Sequence, residues 1–178
     1  VSAFLLNRSS DLSFYGDRQM MIKLKGVGDN FDQLTHIREI LEGDGTYELH
    51  AADIHYGIPG LGVAYQMGLG YTYPDPMKIY APRREGQLNM TDPTEGFVED
   101  ELYSPGVVFC MKQGKYDKNY ILTSLAFARN LFQQDGKLSS LELRLKAGSN
   151  FDRVKDEIKT LAGKLRSEER RVGKECRS

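Results

Sequence analysis

Asn119-Tyr-Ile-Leu-Thr-Ser-Leu-Ala-Phe-Ala-Arg-Asn-Leu-Phe-Gln133, followed by the Asp135-Gly136 turn and by Leu141-Glu-Leu-Arg-Leu145, decides the fold class. Asn119 to Leu122 suits a short strand. Ser124 has the hydroxyl of a helix cap, and Leu125, Ala128, Leu131 and Phe132 form an apolar stripe along a helix over 125–133. Leu141, Leu143 and Leu145 alternate with Glu142, Arg144 and Lys146, the two-residue period of a half-buried strand. Ser149 and Asp152 then resemble a capping box, with aspartate in the usual glutamate place, and Phe151, Val154, Ile158 and Leu161 line the face of a second helix. A strand followed by an amphipathic helix implies a return strand, as in a βαβ unit. The class expected from these segments is α+β, with a βαβ element.

Upstream, the signals are shorter. Residues 1–11 carry no clear period and suit at most a frayed strand. From Arg18, Met20, Ile22 and Leu24 alternate with Met21, Lys23 and Lys25, a strand ended by Gly26 and Gly28. Phe31, Leu34, Ile37 and Leu41 share one face of a short helix, Gly43-Asp44-Gly45 signals a turn, and residues 46–49 suit another strand. Leu61 to Leu69 can form a helical turn or two, stopped by Tyr73-Pro74-Asp75-Pro76. Met77 to Ala81 alternates and ends at Pro82. Arg83 to Glu101 is polar and aperiodic, and long connections of that kind are disproportionately functional. Val107 to Met111 is a continuous apolar run suited to a central strand buried on both faces.

The chain has 178 residues, 40% hydrophobic and 28% charged, with a formal net charge of −1. That length suffices for one domain with a core, and the balance lacks the basic excess of a nucleic-acid protein. No run approaches the roughly 18 apolar residues of a membrane helix, and no signal peptide follows Val1, so both ends read as cuts. Lys164 to Ser178 holds nine charged residues in fifteen, with Leu165, Val172 and Cys176 its apolar members. Such a tail is expected to be disordered or helical in solvent, and foreign to the domain. The domain proper is placed at 1–163, with lobes at roughly 11–50 with 115–163, and 51–114.

Familiar catalytic and cofactor motifs fit poorly. His50, Asp53 and His55 match neither the i, i+4 helix pair nor a zinc-finger spacing, and are read as surface histidines beside a turn. Gly60-x-Gly62-x-x-Tyr65 puts tyrosine where a dinucleotide loop needs its third small residue, so its glycines are assigned to a turn and close packing. Cys110 lies in an apolar run and is read as a buried, inert thiol; with Cys176 it makes no disulfide framework. No G-x-S-x-G occurs. Asp92, Glu95, Glu99, Asp100 and Glu101 read as a solvated acidic loop, and Asn7-Arg8-Ser9 and Asn89-Met90-Thr91 as chance matches to the glycosylation pattern. No catalytic, cofactor or metal residues are assigned.

Several phrases, in order, resemble one family. They are Tyr15-Gly-Asp-Arg-Gln19 with Lys25-Gly-Val27, Gly60 to Leu69, Asp75-Pro-Met-Lys-Ile-Tyr-Ala-Pro-Arg-Arg84 and Tyr103-Ser-Pro-Gly-Val-Val-Phe109. Lys115-Tyr-Asp117 with Asn119-Tyr120, and Thr123 to Phe132 leading into Leu138 to Lys146, complete the set. Together they are similar to the extracytoplasmic domain of lipoprotein-releasing ABC-transporter permeases of the LolC/LolE type, within the wider MacB and FtsX group, and to the Bacteroidetes versions in particular. The likeness covers about residues 11–163. It implies a MacB-like α+β fold, a mixed sheet with porter-like βαβ elements and a second small strand-rich lobe, on the periplasmic side of the inner membrane, without catalytic residues or cofactors. The implied partners are a second permease subunit, a separate cytoplasmic ATPase subunit, and a periplasmic carrier or lipoprotein substrate. The loop from Arg83 falls where such permeases can meet a carrier, which makes Met90 and Phe97 the expected apolar anchors and Arg83 and Arg84 its base. The family continues after Gly163 with a strand, so the last βαβ unit is expected to lack its closing strand and to self-associate through the exposed edge. The competing expectations are a MacB-like or FtsX-like role, and a secreted hydrolase or carbohydrate-binding domain with no recognisable motif.

Overall fold

The alternation that begins at Arg18 builds the longest strand of the molecule. In the computed structural model, which describes residues 2–6, 11–83, 96–145 and 148–175, the elements run as follows. Strands β1 (Ser2–Leu6), β2 (Asp11–Tyr15) and β3 (Arg18–Val27) precede helix α1 (Phe31–Leu34), a 3₁₀ turn (Ile37–Ile40) and β4 (Leu41–Glu42). Next come β5 (His50–Ala51), β6 (Ile54–His55), β7 (Ile58–Pro59), α2 (Leu61–Met67), β8 (Met77–Pro82), β9 (Phe97–Leu102) and β10 (Val108–Phe109). The rest is α3 (Gly114–Asp117), β11 (Tyr120–Ser124), α4 (Leu125–Phe132), β12 (Ser140–Glu142) and α5 (Phe151–Glu175). The fold is α+β, with one large mixed sheet and two small two-stranded sheets.

β3 organises the large sheet. Its first half pairs antiparallel with β2, which pairs with β8, which pairs with β9. Its second half pairs antiparallel with β1 and parallel with β11, and β12 adds antiparallel to β1. β11 and β12 therefore run the same way with β3 and β1 between them, joined through α4 in a split βαβ unit. Two apolar clusters follow from the pleat. Ile22 and Leu24 of β3 and Ile121 of β11 face Phe127, Ala128 and Leu131 of α4, together with Val63 and Met67 of α2. Val27 and Leu122 face the other way, toward Phe31, Ile37, Val107 and Phe109. Residues 1–143 form one unit and residues 144–178 a second.

Several local expectations are corrected. β3 does not stop at Gly26: that residue stays in the strand because a Cβ there would collide with the Ala128 Cβ, so glycine marks close helix–sheet packing. The helix expected over 31–41 breaks after one turn, where the Thr35 hydroxyl donates to the Phe31 carbonyl at 2.7 Å and the backbone turns extended. Residues 46–49 form no strand; the nearby ladder is the β5–β6 hairpin. Val107 to Met111 supplies only the two-residue β10, paired with β4, because it is buried by packing rather than at the centre of a sheet. The end of the long loop is strand β9, whose period is hidden because acids occupy both of its faces, Glu99 and Glu101 on one and Asp100 between Val98 and Leu102 on the other. β12 spans three residues and Leu141 is 52% exposed, so the clean alternation there marks a strand but not a core strand. Asn150, not Ser149, caps α5: its Oδ1 accepts the Arg153 N–H at 3.1 Å. The βαβ unit is β11–α4–β12, two elements earlier than the periodicity suggested. α5 carries the charged tail as helix to Glu175, one of the two states expected of it.

Candidate functional site

Of the residues expected to meet a partner, Arg83 and Phe97 sit where the connection between β8 and β9 begins and ends. Arg84 and Met90 lie outside the described residues. Arg83 and Phe97 lie side by side: the Arg83 amide donates to the Gly96 carbonyl at 2.8 Å and its Nε to the Phe97 carbonyl at 3.2 Å. Phe97 is 37% exposed at the start of the edge strand. Of the acids read as a loop, Asp92 and Glu95 are outside the described residues, whereas Glu99, Asp100 and Glu101 line β9. Lys78 of β8 donates to Glu99 at 2.8 Å; that bond, with a further one to Tyr80, holds the Glu99 carboxyl below the ordinary carboxylate range.

The histidine cluster is a hairpin. His50 and His55 pair across β5–β6, with Ala52 at φ +50° in the turn beside Asp53. Among the described residues no three His, Cys, Asp or Glu side chains gather as metal ligands. His55 instead stacks on Phe127, ring centroids 5.3 Å apart, and its Nδ1 lies 3.3 Å from the Ser124 Oγ. A serine at a strand-to-helix turn beside an imidazole has the outline of a nucleophile and its base. The hydroxyl is engaged otherwise: it accepts the Phe127 N–H at 3.2 Å, capping α4, and Ser124 is 2% exposed. A substrate cannot reach it.

The glycines of the Gly60 phrase leave no phosphate cradle. A Cβ on Gly60 would strike the Asp117 carbonyl, and one on Gly62 would meet the Lys118 side chain. That contact fixes α2 against α3. Asp117 is itself tied down, its two carboxylate oxygens accepting the amides of Met111 at 2.8 Å and Gln113 at 2.9 Å. Cys110 is half-buried rather than fully enclosed.

A feature that periodicity did not disclose is a cleft of about 510 Å³ on the sheet face opposite α4. Its floor is Lys25 of β3 and Leu122 of β11, opposite each other in register. Phe31, Ile37 and Ile40 form one wall, and Phe109, Tyr116 and Tyr120 another. Lys25 Nζ lies 5.1 Å from the Phe31 ring centroid and 3.8 Å from a Glu142 carboxylate oxygen on β12. Burial pushes the lysine pKa below its ordinary value, with Glu142 partly offsetting that. The trace it leaves in the sequence is a lysine directly before Gly26. Alternation alone assigns such a lysine to solvent.

No protein-family model matches the chain, and no curated protein matches it at a significant level.

Proposed function

We propose that this chain is a non-enzymatic extracytoplasmic domain of an ABC-transporter permease of the lipoprotein-releasing kind, with a MacB-like core. In that role it couples ATP hydrolysis on a separate cytoplasmic subunit to the release or transfer of a lipoprotein or other envelope substrate on the periplasmic side. Its partners are a second permease subunit, the ATPase subunit, and a periplasmic carrier or the substrate itself.

The observation that carries the proposal is how the resembling phrases meet. Lys25-Gly-Val27 packs onto the helix of the Thr123–Phe132 phrase through Gly26 and Ala128, and Gly60 and Gly62 pack onto the Lys115–Asp117 phrase. Segments 55 to 102 residues apart in the chain are thus cut to fit one another, which makes their order and spacing properties of a single interlocked core. Independent loops would carry no such mutual constraint. A coupling role also suits a domain whose exposed edge strand offers Arg83 and Phe97 beside a long connection.

The genomic locus provides the test. The proposal expects spans of about 20 apolar residues, one before this segment and three after it, with an ATPase gene nearby and a native strand in place of residues 164–178. A signal peptide followed by a stop codon, with no such span, overturns it in favour of a secreted protein.

A further inference from the structure

The cleft beside Lys25 has the size of a small-molecule site; such pockets run from about 300 to about 1,000 Å³. We propose that it binds a small amphiphile with a carboxylate head, the head on the Lys25 ammonium and the hydrocarbon body against Phe31, Ile37, Phe109 and Leu122. Nothing in the permease proposal requires such a site, and it stands or falls separately.

Charge and position select the ligand. Lys25 lies in the middle of three hydrogen-bonded strands, paired with Leu6 on one side and Leu122 on the other. A position flanked in that way ordinarily carries an apolar side chain, because an ammonium loses hydration there. Its side chain is only 20% exposed, whereas that of Glu142 is 48% exposed. At 3.8 Å the ion pair with Glu142 is long, and Glu142 lies on a three-residue terminal strand with its side chain half in water. An incoming carboxylate therefore replaces a half-solvated partner with one held in the cleft, where low polarity strengthens the attraction. A cationic amphiphile of the same length meets the lysine charge instead. The apolar walls supply affinity to either, so the preference between the two reports the head-group contact.

The experiment is calorimetric titration of the full chain with laurate, and with dodecyltrimethylammonium as the cation of equal chain length, both below their micelle concentrations. Laurate is expected to fill one site per chain and to bind roughly tenfold or more tighter than the cation, about 1.4 kcal/mol. Lys25→Met should abolish that preference and Lys25→Arg should keep it. Glu142→Gln, at a half-exposed position that leaves the core intact, should tighten laurate roughly threefold by removing the competing carboxylate. Absence of saturable laurate binding overturns the proposal, as does a Lys25→Met variant that keeps the preference. If Lys25→Met fails to fold, Glu142→Gln decides: tighter laurate supports the site, and unchanged or weaker laurate overturns it.

Discussion

Lys25 and Gly26 are neighbours on one strand, and each holds its place for the sake of the face it meets. Gly26 lets α4 come close. Gly26→Ala forces a methyl group against Ala128 and is expected to cost about 1–3 kcal/mol, read as a lower urea midpoint with an unchanged slope. Lys25 has the opposite economy. Because its folded pKa lies below the ordinary lysine value, the native state binds fewer protons than the unfolded chain between those two values. Stability therefore rises with pH across that window. Tyr73, whose hydroxyl is buried and donates to the Gly57 and Tyr103 carbonyls, opposes this at high pH, since burial raises its pKa and folding then protects the protonated form. Comparing wild type with Lys25→Met isolates the lysine. The variant should be as stable as wild type or more so at pH 7, within about 1 kcal/mol. It should also lack the lysine part of the rise toward pH 10. A large loss of stability at pH 7 would show that the Lys25–Glu142 pair is chiefly a structural tie. Asp117 is the reverse case: Asp117→Ala strands two backbone amides and should cost about 3 kcal/mol in the same assay.

Among the elements, α4 and the β8–β9 hairpin show how local chemistry ends or supports a segment. The Ser124 cap satisfies one of the free amides at the start of α4, so Ser124→Ala should destabilise the protein by about 1 kcal/mol. The edge strand β9 is held by its ladder and by the exposed Lys78–Glu99 pair. The lowered Glu99 pKa means that this pair helps folding above the ordinary glutamate range and loses its effect as pH falls through the folded value. Carboxyl NMR titration should give Glu99 a midpoint below 4.5 and return it toward that value in Lys78→Met. Both residues are well exposed, so the effect on overall stability should be small.

Over the whole molecule, among the described residues, both apolar clusters are built from residues between Tyr15 and Phe132. Removing residues 144–178 is therefore expected to leave the first unit folded, with a cooperative melt within a few degrees of the full chain. Loss of the cooperative transition would show that the clusters depend on the second unit. The exposed Phe151, Ile158 and Leu161 belong to that second unit.

Local sequence settled what depends on neighbours along the chain. The alternation at Met20, Ile22 and Leu24, the Ser124 cap and the stripe of α4 all emerge in the structure, because period and capping are decided within a few residues; α2 instead ends at Gly68 in the left-handed conformation, ahead of Pro74 and Pro76. The α+β class follows from those elements. Tertiary contact decided the rest. Gly26 reads as a strand end until Ala128 is brought opposite it; Gly60 and Gly62 read as a turn with close packing, but only the fold shows that Asp117 and Lys118 are what they pack against. The strand β9 was hidden because acids on both faces imitate a loop, and Val107 to Met111 was promoted because burial imitates sheet centrality. The expected contact at Arg83 and Phe97 was legible as a place, since a long connection announces itself, but their adjacency comes from the β8–β9 register. The Lys25 cleft was not legible at all. Its walls come from five separate segments, and only the fold carries an inward lysine, Phe31, Tyr120 and Glu142 to the same few ångströms.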